Sequence, residues 1–350
     1  MFVPAHTSEE PPTADDHDSP QYRAEVGGWL EPLGCPWVWR AITLENLAQH
    51  VGEVVARCAE RPCLVLNLCD GIEPHAGPGL SVVRLLEEHR VPYTGGNPHF
   101  YNITTSKTVM KRRLAECGVS TPPFAEIGEP EQDIPAAAPA VGFPLLVKPV
   151  ASACSYGILQ KGVVDDATAA VAQARRLLDG IHGWSFKQDG VFLERFVEGR
   201  EFTVLVVGQG AAYPPAERVF PDGLPPRERL LSYERYWEDY TEETPLPAGV
   251  SLYRYAPVES PLRAKLEELA ARAYRALEGC GYARVDMRMD SSGEVYVLEV
   301  NSNCGLSSDG QTSVSWILNL AGRPIHRLIE EIIYDGWERA QTSAARASTA

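Results

Sequence analysis

Between Gly281 and Asn303, two short runs joined by a turn carry Arg284, Asp286, Glu299 and Asn301. Two carboxylates and an amide suit a hard cation such as Mg²⁺, which takes oxygen ligands and commonly bridges to substrate phosphates. To act on one ion they must converge. Each run alternates with period two, and Asp290-Ser291-Ser292-Gly293 between them is turn chemistry, so the segment reads as a β-hairpin. With a two- or four-residue loop, residue 286 lies opposite 297 and residue 284 opposite 299, and the four polar side chains share one face. Val285, Met287, Met289, Tyr296, Leu298 and Val300 then fall on the other face, as in a sheet lying on a core. A three-residue loop would break this arrangement.

Phosphate chemistry needs positive charge, yet the chain carries a formal net charge of −15 over 350 residues. That balance argues against nucleic acid or an anionic membrane as partner and asks for local lysines or bound cations. There is no transmembrane-length apolar run and no secretory signal, so a cytoplasmic protein with small-molecule partners is expected. The eight cysteines (Cys35, Cys58, Cys63, Cys69, Cys117, Cys154, Cys280, Cys304) form no C-x-x-C pair, which excludes a zinc-type spacing and predicts mostly buried, reduced thiols. Cys154 and Cys304 lie in motif regions but lack an adjacent histidine to activate them.

The elements that must position the hairpin alternate between strand and helix, the pattern of an α/β chain. Residues 1–20, rich in Pro, Asp and Glu, are expected to be disordered, and residues 21–103 to form an N-terminal α/β lobe. That lobe contains the apolar run from Cys63 to Leu68 and a helix near Leu80 to His89. Asn67 and Asp70 fall near the carboxyl end of the first of these, where turn and capping roles are the plain alternative. A central lobe (104–197) opens with a helix from Thr104 closed by Gly118, then a strand carrying Lys148, the small-residue loop Ala151 to Gly157, a helix from Asp166 and a strand at 191–197. A C-terminal lobe (198–336) holds a strand at 201–207, a proline- and tyrosine-rich lid loop (213–250), a helix from Leu262 to Glu278 and the hairpin. A flexible tail (337–350) follows.

Ser106-Lys107, Val147-Lys148-Pro149, the loop ASACSYG, Glu194-Arg195-Phe196-Val197, Glu201-Phe202-Thr203-Val204, Arg284-Val285-Asp286 and Leu298-Glu299-Val300-Asn301 occur in one order. The ordered set resembles the ATP-grasp superfamily, and within it the D-alanine–D-alanine ligase branch, with PYTGG at 92–96 and EVNSN among the shared features. The resemblance covers roughly residues 60 to 335. It implies an ATP-grasp fold behind an N-terminal pre-ATP-grasp lobe, and a carboxylate–amine ligase acting through an acyl phosphate. Lys107, Lys148 and Ser155 would contact the ATP phosphates, Glu194, Arg195, Phe196 and Val197 the adenine edge, and Glu201 the ribose. Asp286, Glu299 and Asn301 would hold Mg²⁺, with Glu299 bridging two ions, while Arg284 would stabilise an oxyanion. A homodimer is a further expectation of the resemblance. Two alternatives stay open: a mycosporine-type ligase that condenses an amino acid with a phosphorylated enol, and an ATP-binding homologue without catalysis.

The departures fall around the substrates. Ala153 and Cys154 stand where the branch usually carries Gly and Ser, and the lid lysine corresponds to Tyr236 or to its neighbour Arg235. The N-terminal region lacks the branch's Gly-rich opening and the glutamate for the first substrate's amino group, which argues against D-alanine there. Ser307, Ser308 and Thr312 are the candidates for the second substrate's carboxylate, with capping or turn formation as their plain alternative.

Overall fold

A computed structural model describes residues 1–5, 18–73, 77–152, 155–181, 183–237, 244, 246, 250–310 and 312–349. In the N-terminal lobe β1 (Phe2–Pro4) pairs in parallel with β2 (Arg40–Ile42). The Met1 amino group donates to the Val38 carbonyl at 2.9 Å, and Phe2 and Val3 are fully buried. Apolar burial thus orders the first five residues, contrary to the expected disorder; residues 6–17 lie outside the described set. Helices α1 (Pro20–Leu30), α2 (Leu47–Glu60) and α3 (Leu80–Glu88) complete the lobe. The apolar run at 63–68 makes only isolated parallel bridges, Phe2 with Asn67 and Val65 with Tyr93. Cys58 and Cys63 form a disulfide, and Cys35 and Cys117 are exposed, so burial of reduced thiols holds for Cys69 and Cys304 but not for these four.

Two helices, α4 (Pro98–Thr105) and α5 (Lys107–Glu116), replace the single one expected. Ser106 is extended (φ −93°, ψ 106°), and the amide of Lys107 donates to Val150 at 2.9 Å instead of continuing α4. The break sets Lys107 at the start of α5, beside the strand that carries Lys148. Next come β3 (Phe124–Ile127), α6 (Pro130–Val141), β4 (Leu145–Pro149), β5 (Val163–Val164), α7 (Ala167–Asp179) and β6 (Val191–Arg195). The strands form a sheet in the order β3-β6-β4-β5, with α6 and α7 packed on it.

The C-terminal lobe comprises β7 (Arg200–Val207), β8 (Ala211–Ala212), β9 (Ala216–Val219), α8 (Tyr233–Trp237), β10 (Arg254–Pro257), α9 (Leu262–Ala276), β11 (Tyr282–Met289), β12 (Val295–Ser302), α10 (Ser313–Leu320) and α11 (Ile325–Thr349). Its antiparallel sheet runs β10-β9-β7-β11-β12, with β8 on β7. The expected lid therefore begins late, because 216–219 is a strand inside this sheet. The expected flexible tail is the continuation of α11.

One face of the β7-β11-β12 sheet packs Val204, Val285, Met287, Val297 and Val300 against Phe100, Leu266 and Tyr274 of α4 and α9. Each fully buried side chain of this kind contributes about 1.5–3 kcal/mol, which pins the sheet's orientation. The opposite face carries Glu201 and Thr203 of β7, Arg284, Asp286 and Arg288 of β11, and Glu299 and Asn301 of β12.

The hairpin reaches this arrangement by an unexpected route. Asp290 donates its amide to Glu294 at 2.9 Å, leaving Ser291, Ser292 and Gly293 as a three-residue loop, the length that should have separated the polar groups. Near the turn the register is Met287 with Val297 and Arg288 with Tyr296. A β-bulge between Asp286 and Met287 then shifts it by one, so that Asp286 faces Glu299 and Arg284 faces Asn301. The expected pairs, 286 with 297 and 284 with 299, are thus corrected while the shared face survives. Tyr296 and Leu298 leave the core face, and Val295 and Val297 occupy it instead.

Candidate active site

The polar face of β11 and β12 is one connected cluster. The Arg284 guanidinium donates to both Asp286 oxygens at 2.8–3.1 Å, and Asn301 Nδ2 donates to Asp286 at 3.1 Å and to Glu299 at 3.5 Å. Burial works against the charge of Arg284, but the Asp286 carboxylate outweighs it and holds the guanidinium firmly protonated. Burial would raise Glu299 too; the cations Lys107, Lys148 and Arg284 reverse that and hold its carboxyl at about 2. Cys304, beside Arg284, is pushed by burial to about 12, so its thiol is a neutral wall and not a nucleophile.

Among the described residues no group of three or more His, Cys, Asp and Glu could hold a metal ion. The donor set is two carboxylates and an amide, too few for an all-protein cage and suited to Mg²⁺ that completes its shell from phosphates and water. Thr203, the register partner of Asp286, is 2% exposed and its Oγ1 has no hydrogen-bond partner. Such an orphaned buried hydroxyl beside two carboxylates fits a polar ligand at this spot.

Helix α5 and strand β4 of the central lobe supply the lysines. Lys107 Nζ donates to the Ser152 carbonyl at 2.6 Å and lies 3.5 Å from Glu299 Oε2. Lys148, on β4, reaches Glu194 on β6 at 2.5 Å. Glu194 is 2% exposed and also pairs with Lys111 of α5, a contact that reading the sequence missed. The spacing of Lys107 and Lys111 by four on one helix was the available signal.

Glu201, expected at the ribose, sits between two arginines. Arg288 grips it through Nε at 2.9 Å and Nη2 at 2.7 Å, and Arg218 of β9 pairs with its other oxygen. Burial would raise this carboxyl, and Arg218 and Arg288 together hold it below the usual range. Arg288 Nη1 also donates to Val197 at 3.0 Å and Nη2 to the Arg229 carbonyl, so one side chain ties the chain just after β6 to the segment around Arg229. Arg195 stacks over Tyr296 at 5.1 Å, and Phe196 lies 4.8 Å beneath Arg288. β7 lies inside the sheet, which removes the edge-strand alternative for Glu201.

Ser155, with φ +61°, turns the chain within the small-residue loop; Ala153 and Cys154 lie outside the described residues. The segment at Tyr233 meets this loop. The Tyr233 amide donates to Ile158 at 2.7 Å, and the Tyr156 ring lies 5.2 Å from that of Tyr233. Arg235 turns into the lid itself, buried against Glu228 at 2.5 Å, which argues against it as the stand-in for the family lysine. The Tyr236 side chain lies outside the described residues.

The hydroxyls of Ser307 and Ser308 both donate to Glu25 of α1 at 2.9 Å, and Trp29 Nε1 donates to Ser308 at 3.0 Å. Thr312 caps α10 through Ser315, the plain role foreseen for it. A glutamate of the N-terminal lobe thus meets the loop after β12 across 282 positions of sequence. PYTGG anchors the same loop from beneath. The Gly96 amide donates to Asn303 Oδ1 at 2.8 Å, and a Cβ at Gly95 (φ +90°) would lie 2.2 Å from that oxygen.

A family profile described as "D-ala D-ala ligase C-terminus" matches residues 114–334. The chain is similar to the D-alanine–D-alanine ligase of Bordetella petrii, 31% identical over 229 residues, covering 64% of this chain and 62% of that enzyme. It is 32% identical over 257 residues to D-alanine–D-alanine ligase B of Xanthomonas campestris pv. campestris, covering 72% of each. The crystal structure of the Bacillus anthracis D-alanine–D-alanine ligase complexed with ATP superposes with a TM-score of 0.66 over 98% of both chains, at 19% identity, a likeness of fold.

Proposed function

The chain belongs to the D-alanine–D-alanine ligase family of ATP-grasp proteins, and from that premise we propose that it is an ATP-dependent carboxylate–amine ligase joining amino acids or amino-acid-like metabolites. The observation that carries the reading is the convergence of Arg284, Asp286, Glu299 and Asn301 on one sheet face, with Lys107 meeting Glu299 from the neighbouring lobe. Asp286, Glu299 and Asn301 would hold Mg²⁺. Bound there, the metal neutralises the repulsion between a triphosphate and a carboxylate.

In this reading Lys107 and Lys148 leave the carboxylates on which they rest and take the phosphates, which Ser155 also faces from its loop. The backbone of Glu194 to Val197 receives the adenine, and Glu201 the ribose. A substrate carboxylate oxygen bonds to the γ-phosphorus, the bond to ADP breaks, and an acyl phosphate forms. An amine then attacks the acyl carbon, and phosphate departs with one former carboxylate oxygen. Arg284, released from Asp286, donates to the oxyanion of that tetrahedral species. Positioning and charge supply the catalysis in this reading.

The substrate pair is proposed by class only. Glu25, Ser307 and Ser308 border the region where the chain departs from the branch, and they are where its selectivity would lie. A cytoplasmic location is proposed on the absence, among the described residues, of any helix long and apolar enough to cross a membrane. Homodimer assembly is carried over from the resemblance, and sedimentation velocity tests it. The activity is tested by incubating the protein with Mg-ATP, a pool of amino acids and hydroxylamine. ADP with a hydroxamate supports the reading, and AMP release overturns it.

A further inference from the structure

Two ammonium groups share one buried carboxylate at the nucleotide end of the central lobe. Glu194 is 2% exposed; Lys148 of β4 meets its Oε1, and Lys111 of α5 meets its Oε2. The two lysines are not equivalent. Lys111 is 1% exposed along its side chain and is fixed further by donating to Thr121 Oγ1 at 2.9 Å, whereas Lys148 is 12% exposed and stands at the open side.

We infer that Lys111 is a positioning residue for nucleotide binding: by staying on Glu194 it frees Lys148 to move to the triphosphate. The inference rests on the ATP-site reading above. The cluster holds two cations and one anion, so one positive charge is in excess in an otherwise acidic protein. When a phosphate takes Lys148, Lys111 keeps the buried carboxylate paired. Without Lys111, Glu194 and Lys148 form a closed pair, and pulling Lys148 away strands a buried charge, which is strongly unfavourable. A packing role explains Lys111 poorly, since burial disfavours its ammonium form and Glu194 only partly offsets that. Lys107 stands one turn earlier on the same helix and lies near Glu299 in a comparable way, so α5 serves both resting pairs.

The groups facing Glu194 are few. Lys148 comes from β4 and Lys111 from α5; the register partner on β3 is Phe124, and Glu126 further along that strand is exposed and paired with Arg112. From β12, Glu299 acts on Lys111 through space. In a chain lacking Lys111, protonation of Glu194 is therefore the way left to release Lys148.

The test is Mg-ATP affinity by calorimetry, with thermal melts as a check of folding, for wild type, Lys111→Met and the double variant Lys111→Met/Glu194→Gln. Lys111→Met should weaken binding on the order of 100-fold near pH 8, less near pH 6, and raise KM for ATP more than it lowers kcat. The double variant, with no carboxylate to strand, should recover to within about tenfold of wild type and lose the pH dependence. Binding by Lys111→Met within about threefold of wild type, or an equal loss in single and double variants, would overturn the inference. Should Lys111→Met not fold, the double variant decides alone, since a loss on the order of 100-fold there contradicts it. Absence of Mg-ATP binding by wild type would instead remove the ATP-site reading and this inference with it.

Discussion

Replacing Arg288 by Met probes how Glu201 of β7 and the chain after β6 are held. Its side chain is 4% exposed and that of Glu201 8%, so solvent screens this pair little. The substitution removes two bonds to Glu201 Oε2 and those to the carbonyls of Val197 and Arg229. A buried charge left with no partner costs about 3–5 kcal/mol, but Arg218 remains on Glu201, so the expected loss for Arg288→Met is about 2–3 kcal/mol. Glu201→Gln removes the anion between two buried cations and should cost more, about 4 kcal/mol. The double variant leaves Arg218 facing an amide and should fall short of the summed losses by about 2 kcal/mol. Urea unfolding monitored by tryptophan fluorescence measures all three, and the midpoint attributable to the C-terminal lobe is the readout. Because Arg288 also holds the Arg229 carbonyl, proteolysis within 221–237 should quicken in Arg288→Met. A loss below about 0.5 kcal/mol, or additivity within that margin, would refute the account of Glu201 as a carboxylate locked between two arginines.

Arg284→Met should lower kcat for ADP release by about 10²–10³ with a smaller change in KM, because its contact forms fully only with the oxyanion; equal effects on both would point to a binding role. Glu299 is depressed to about 2 in the fold, so its stabilising contribution is present above its unfolded value of 4.5 and is lost as pH falls through the interval between them. The acid limb of stability in that window should flatten in Glu299→Gln, as followed by circular dichroism. Gly95→Ala should destabilise by at least about 2 kcal/mol in denaturant unfolding, since a left-handed backbone and a clash with Asn303 combine. An unchanged midpoint would contradict the close approach of PYTGG to Asn303.

How much of this was legible differs from residue to residue. Alternation, which depends only on neighbours in the chain, puts Arg284 with Asp286 on one face of β11 and Glu299 with Asn301 on one face of β12; that the two pairs share a face rests on the bulge. The register did not follow, because Gly293, with φ +85°, makes a three-residue loop and no local signal announces the bulge that compensates for it. α6 was hidden by Pro135 and Pro139 within it, and the break at Ser106 by a tertiary bond from Lys107 to Val150. Arg288 could have been placed on the polar face by the same alternation as Asp286. Lys111 reads as a solvated helix lysine until β6 docks beside it. Glu25 and Ser307 are far apart in sequence, and periodicity carries no information at that range.

The central claim is that a carboxylate is activated as an acyl phosphate at the face of Asp286, Glu299 and Asn301. The most direct measurement supplies a pool of amino acids labelled with ¹⁸O in their carboxylates, together with unlabelled Mg-ATP, and determines the isotope in released phosphate by mass spectrometry. The account predicts one labelled oxygen transferred to phosphate for each ADP formed, and none when Glu299 is replaced by Gln. Turnover to ADP and phosphate with no label in the phosphate would contradict it.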